Sequence, residues 1–292
     1  MTQEMAPSAD RDTPERTKAP GWDNRTAGMV ERVPAGLRGG VAEVGGVGQL
    51  LVRLVSTAIR NPRGYWSNVG VEMFNMIRFT WLPTVFAVGG FCFEIGNYAY
   101  NMLGTLGAQD RLGVFFVFAT AREISPFATG MAVAGVMGTA LCADLGARRI
   151  REELDALRVL GVDVVRELVL PRVIAIAVMT VAFNILGIAL GVMAAGVSAT
   201  IVGDTSAGAY VGNFLINMTT PELIGTVVKT FLIGLFIGVV CAQKGLAAKG
   251  GAEGVGRAVN QAVVLCFAAV WIFNFIVNAV MLGSNPDMLV NR

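Results

Sequence analysis

The run VIAIAVMTVAFNILGIALGVMAAGVSATIVG, Val173 to Gly203, holds no Asp, Glu, Lys or Arg in 31 residues. The hydrocarbon core of a bilayer takes about 20 apolar residues of helix, so this stretch reads as a membrane span. Outward from it the pattern repeats. Uncharged runs stand at Phe79 to Phe93 and Ile95 to Gln109 on either side of Glu94, and at Ile124 to Ala143, Thr230 to Gln243 and Ala258 to Pro286. They predict five spans, near 79–104, 113–143, 172–201, 222–242 and 259–283. Hydrophobic residues are 54% of the 292 and charged residues 15%, a balance outside the soluble globular range.

Ahead of the spans the chain changes character. Residues 1–36 are polar, charged and proline-bearing, without the apolar stretch of a signal peptide, and read as a disordered cytoplasmic tail. Within 37–78, Leu51, Leu54, Val55 and Ala58 line one side of a helix while Arg53, Thr57 and Arg60 lie on the other. That is an interfacial helix, and the glycines at 39, 40, 45, 46 and 48 argue against a longer one. The transmembrane domain then runs over 79–286, followed by a short tail at 287–292. The expected fold class is an all-α membrane protein: an N-terminal interfacial helix and five transmembrane helices.

Orientation follows the basic residues. Nineteen of the 23 Lys and Arg fall from Arg11 to Arg78, from Arg148 to Arg172, or at Lys244, Lys249 and Arg257. Those regions are expected in the cytoplasm, which puts the N-terminus inside and the C-terminus outside. The connection at 202–221 reads as an external loop.

Immediately before the long run lies ARRIREELDALRVLGVD, Ala147 to Asp163, a charge-dense segment between apolar ones. Ile150, Leu154 and Leu157, followed by Gly161, recur on one helical face, with Arg149/Glu153 and Arg151/Asp155 as i,i+4 pairs beside it. A helix over 147–162 would dock that face on a soluble partner, with Glu152, Glu153, Asp155 and Arg158 as a charged rim. Gly161 suits a helix stop, and Asp163 can cap the next helix. A solvated loop helix is the bland alternative.

Within the apolar runs the ionisable residues are few: Glu94, Arg122, Glu123, Asp144 near a helix end, and Lys229. Charge at such depth is costly, so Glu94, Arg122 and Glu123 read as lining a substrate pathway or locking helices. Arg122 and Glu123 point about 100° apart on a helix and are expected to take different partners. Lys229 is expected to snorkel to the outer interface. Small residues four apart, at Gly130/Ala134/Gly138, Gly187/Gly191/Ala195 and Gly234/Gly238, suit close helix packing in lipid.

Several function classes fall away. The chain has no histidine, which removes zinc protease, Ser-His hydrolase and His-relay readings. Cys92, Cys142, Cys241 and Cys266 lie in or beside apolar stretches and receive no disulfide or metal role. No phosphate-binding G-x-x-x-x-G-K-[ST] loop occurs, so a motor must be a separate chain. No nucleic-acid partner is indicated.

Ala121 to Arg172 carries RE-x-x-P at Arg122 to Pro126, A-D-L-G at Ala143 to Gly146, E-x-D-A-L-x-x-L-G-V-D at Glu153 to Asp163, and Pro171-Arg172. In these elements it resembles the MlaE/YrbE family of permeases that serve MCE-type lipid ABC transporters. The likeness covers roughly residues 60–283 and is closest to the A-type subunits of the actinobacterial YrbE branch. Ser125 stands where many relatives have Gly, and Val136 where many carry Arg, so that charge's role is not transferred. The resemblance implies a non-catalytic permease paired with a second, B-type YrbE permease, and a cytosolic P-loop ATPase dimer that binds ATP and Mg. It also implies MCE-domain proteins outside, and sterols or fatty acids imported across the plasma membrane. The coupling helix would then use Ile150, Glu152, Glu153, Leu154, Asp155, Leu157, Arg158 and Gly161. A secondary carrier or channel for a hydrophobic solute is the alternative, with no use for the connector's apolar face.

Overall fold

The computed structural model describes residues 35–201 and 206–284, and their regular structure is helical throughout. The expected tails at 1–36 and 287–292 fall, but for residues 35 and 36, outside the described residues. Among the described residues a boundary between two units falls after Gly45, within the first helix. Helix α1 covers Ala35–Arg60 and α2 covers Trp66–Thr105. Helix α3 runs over Leu112–Ile150, α4 over Glu153–Val159 and α5 over Val165–Ile201. Helices α6, α7 and α8 cover Ala207–Asn217, Thr220–Leu246 and Gly251–Ser284. Five of these, α2, α3, α5, α7 and α8, are long and apolar enough to cross a bilayer. The protein is a multi-pass all-α membrane protein.

Three expectations about elements need correction. Helix α1 is longer than the glycines suggested: each costs about 1 kcal/mol against Ala, yet Leu50 and Leu54 are buried and hold the second half of the helix in the main core. Gly46 also has a packing reason, since a Cβ there would sit 2.7 Å from Gln243 Nε2. Trp66 to Arg78, assigned to the interfacial region, is instead the opening of α2. The presumed loop at 202–221 contains α6, capped where Ser206 Oγ accepts from the Ala209 amide at 3.2 Å. It is held by Tyr210 and Phe214, which pack into a cluster with Leu112, Phe116 and Ala195.

Helix α3 is not a uniform α-helix. Val117–Ile124 and Ala134–Gly138 are π-helical, as is Val165–Val169 at the start of α5. Each π turn accommodates an extra residue and re-aims the side chains that follow. The small-residue rows lie at close crossings. A Cβ on Gly234 would meet Ala177 Cα at 2.9 Å, and one on Gly191 would meet Cys92 Sγ at 2.8 Å. All four cysteines are free and buried. Side chains of α3, α5 and α7 are about half buried, whereas α2 and α8 bury only 28% of their most apolar windows. Those two helices turn most of their surface outward.

Candidate functional site

The first π segment of α3 places Arg122 and Glu123 side by side on different faces. Arg122 is buried and pairs with Glu222 in the first turn of α7, Nε donating at 3.4 Å and Nη2 making the closer contact. Its guanidinium lies 4.7 Å from the Phe118 ring centroid. Glu123 stays exposed and accepts hydrogen bonds from Asn274 Nδ2 and Asn278 Nδ2 of α8. Lys229 spends its three donors on the Arg122 carbonyl at 2.5 Å, Asn278 Oδ1 at 2.6 Å and Asn274 Oδ1 at 3.0 Å. The network continues from Thr226 Oγ1 to the Ala121 carbonyl at 3.0 Å, and from Asn184 Nδ2 to Thr226 Oγ1 at 3.2 Å. Two cations and two anions thus cancel inside a four-helix junction of α3, α5, α7 and α8.

The expected snorkelling of Lys229 is overturned, because it is 1% exposed and its ammonium is satisfied inward. The carbonyl of Arg122 and the two asparagines offer what interfacial water would have supplied. Arg122 and Glu123 do take different partners. Glu94 is not part of this junction: it lies exposed on α2 and makes no hydrogen bond or ion pair among the described residues.

At the other end of α3, the connector is two helices and not one. Helix α3 stops at Ile150, Glu152 takes a left-handed backbone with φ 60°, and α4 starts at Glu153. The break rearranges the charge pairs. Neither Arg149/Glu153 nor Arg151/Asp155 forms; instead Arg149 grips both oxygens of Asp155 at 2.7 and 2.8 Å, and Arg151 reaches Glu153 at 2.6 Å. That hydrogen bond from Arg151 holds the exposed Glu153 carboxyl below its usual range. Arg158 also contacts Asp155 at 2.8 Å.

Helix α4 ends as expected at Gly161, with φ +78°. The Val162 amide donates to Leu157 O and the Gly161 amide to Arg158 O, both at 3.0 Å, a Schellman turn. Asp163 Oδ1 accepts from the Val165 amide at 3.0 Å and caps α5. Leu154, assigned to a partner's groove, is 0% exposed and rests on its own chain. Ile150 and Leu157 are half-buried. The apolar pair that stands out is Val159 at 88% and Leu160 at 77% exposure, beside exposed Glu152, Arg151 and Arg158.

An unbroken ion-pair chain lies behind the connector. Arg172 of α5 contacts Glu72 of α2 at 2.9 Å and Asp144 of α3 at 2.5 Å. Asp144 meets Arg148 at 3.1 Å, and Arg148 lies 3.8 Å from Glu153. Three spans are thereby tied to α4 by charge. Sequence reasoning missed Glu222, Asn184, Thr226, Asn274 and Asn278 of the junction, and Val159 and Leu160 of the connector. The four-residue spacing of Asn274 and Asn278 within an apolar run was the available signal.

Both regions lie inside residues 70–280, which match the family described as permease MlaE. The chain is 29% identical over 186 residues to the protein TRIGALACTOSYLDIACYLGLYCEROL 1, chloroplastic, of Arabidopsis thaliana. That alignment takes in 64% of this chain but only 53% of the plant protein, about half its length. A probable ABC transporter permease protein of Rickettsia bellii is 28% identical over 222 residues, covering 76% of this chain and 85% of its own. Another, from Synechocystis, is 31% identical over 186 residues, covering 62% and 69%.

Proposed function

Because this chain belongs to the MlaE permease family, we propose that it is the membrane subunit of an Mce-type ATP-driven lipid importer of the plasma membrane. It provides the pathway and a separate cytosolic P-loop ATPase dimer binds ATP and Mg and hydrolyses it. Its other partners are a B-type YrbE permease and MCE-domain proteins outside, with sterols or fatty acids as cargo. The resemblance of its motifs to A-type actinobacterial YrbE subunits and its likeness to probable ABC transporter permease proteins support this reading.

The observation that carries it is the connector. Helix α4 is braced by four ion pairs, within itself, to the linker and to the end of α3, yet leaves Val159 and Leu160 bare at its tip. Burying such a side chain against a partner gains about 1.5–3 kcal/mol. A load on that tip reaches α3 through Arg148 and Arg149 and reaches α5 through the Asp163 cap. Glu152, Glu153, Asp155, Leu157 and Arg158 form its rim.

The test is copurification and transport. Leu160→Asp should insert normally, lose ATPase binding and abolish lipid uptake. If that variant retains its ATPase and transports at the wild-type rate, the connector is a solvated loop and the reading fails.

A further inference from the structure

Of the ionisable residues in the apolar runs, Glu94 takes no part in the junction or in the ion-pair chain behind the connector, and it is exposed without a polar partner among the described residues. It nonetheless sits deep. It lies 16 residues past Arg78, about 24 Å along a helix and inside a hydrocarbon core of about 30 Å. Cys92, half a turn before it, meets Thr120 at 3.5 Å, half a turn before Arg122, so Glu94 and the buried junction share a level of the membrane. A carboxylate at that level needs a polar group or water against it.

The face around Glu94 has a definite form. At 100° per residue, Pro83, Ala87, Gly90, Glu94 and Asn101 fall within about 60° of one another, opposite Val88, Cys92 and Ala99, which pack into the core. A Cβ on Gly90 would meet no atom within 4 Å, so another helix can come close there. Exposed Phe86 and Phe93 stand on one side of this strip, and exposed Phe91 and Tyr98 on the other. A second copy of the chain would not neutralise Glu94, because Arg122 and Lys229, the cations at its level, are buried and engaged inside the junction. We infer that this face of α2 docks one transmembrane helix of a different chain, carrying an Arg or Lys opposite Glu94. The inference depends neither on the ATPase nor on the cargo, so it can fail separately from the coupling reading.

The test puts the full chain, Cys-free but for a donor dye on Met102→Cys, into phosphatidylcholine vesicles with acceptor-labelled Leu/Ala peptides of about 24 residues. One peptide carries an Arg about six residues from an end, inside the hydrocarbon, and the other a Leu there. Energy transfer to the Arg peptide should half-saturate at an about tenfold lower mole fraction, the scale of one polar contact between helices in lipid. Glu94→Gln should erase that difference, and Gly90→Phe should block both peptides, in protein that remains monodisperse. Equal transfer to the two peptides, a preference that survives Glu94→Gln, or unchanged binding by Gly90→Phe overturns the proposal. So does a disulfide-linked dimer of Gly90→Cys in the Cys-free chain under copper phenanthroline, which would seat a second copy on this face.

Discussion

Lys229 shows how much one buried ammonium organises. It bridges the backbone of α3 to two asparagines that themselves hold Glu123. Removing one partner of a buried charged set costs about 3–5 kcal/mol, because the remaining charge stays buried and uncompensated. Lys229→Met should therefore lower the thermal midpoint in detergent sharply. Arg122→Met/Glu222→Met, which removes a whole pair, should be milder than either single change; if it is not, the pair is not energetically linked. Arg122→Ala should impair lipid uptake while leaving ATPase association intact, and unchanged uptake at normal protein levels would reduce Arg122 to a bystander. Charge made Arg122, Glu123 and Lys229 visible in the sequence. Their asparagine partners carry no charge, and Glu222 lies at the first position of the predicted span, outside the uncharged runs.

Among elements, the connector divides into a half that packs and a half that protrudes. Leu154→Asp would bury a carboxylate without a partner at a 0% exposed site, costing about 3–5 kcal/mol and lowering the yield of folded chain. Its contrast with Leu160→Asp, which should fold, separates packing from docking. Gly161→Ala meets no atom within 4 Å but must hold φ +78°, at about 1–2 kcal/mol. It should loosen the turn into α5 and lower coupled ATPase activity without blocking insertion. A wild-type rate for that variant would show that the turn transmits no force. Spacing on the sequence predicted one helical face here. It could not anticipate the left-handed Glu152 that splits the segment, since a non-glycine residue rarely takes that backbone and apolar spacing does not mark it.

For the molecule as a whole, the basic residues predict a cytoplasmic connector and an external α6. In a Cys-free background, a single cysteine at Ser206 should react with an impermeant thiol reagent in intact cells, and one at Ala156 should not. Labelling at Ala156 before lysis would reverse the orientation. What the sequence determined by itself was the number and order of the spans, because lipid leaves each backbone polar group to be satisfied within its own helix and so makes 20-residue apolar runs decisive. It also determined the stop at Gly161 and the cap at Asp163, which are local. Tertiary structure decided which face of α4 is bare, that Lys229 turns inward, and that Arg172, Glu72 and Asp144 meet across three spans 100 and 28 residues apart. Those outcomes rest on contacts between helices distant in sequence, whose rotation is set by π turns and close glycine crossings that hydropathy does not record.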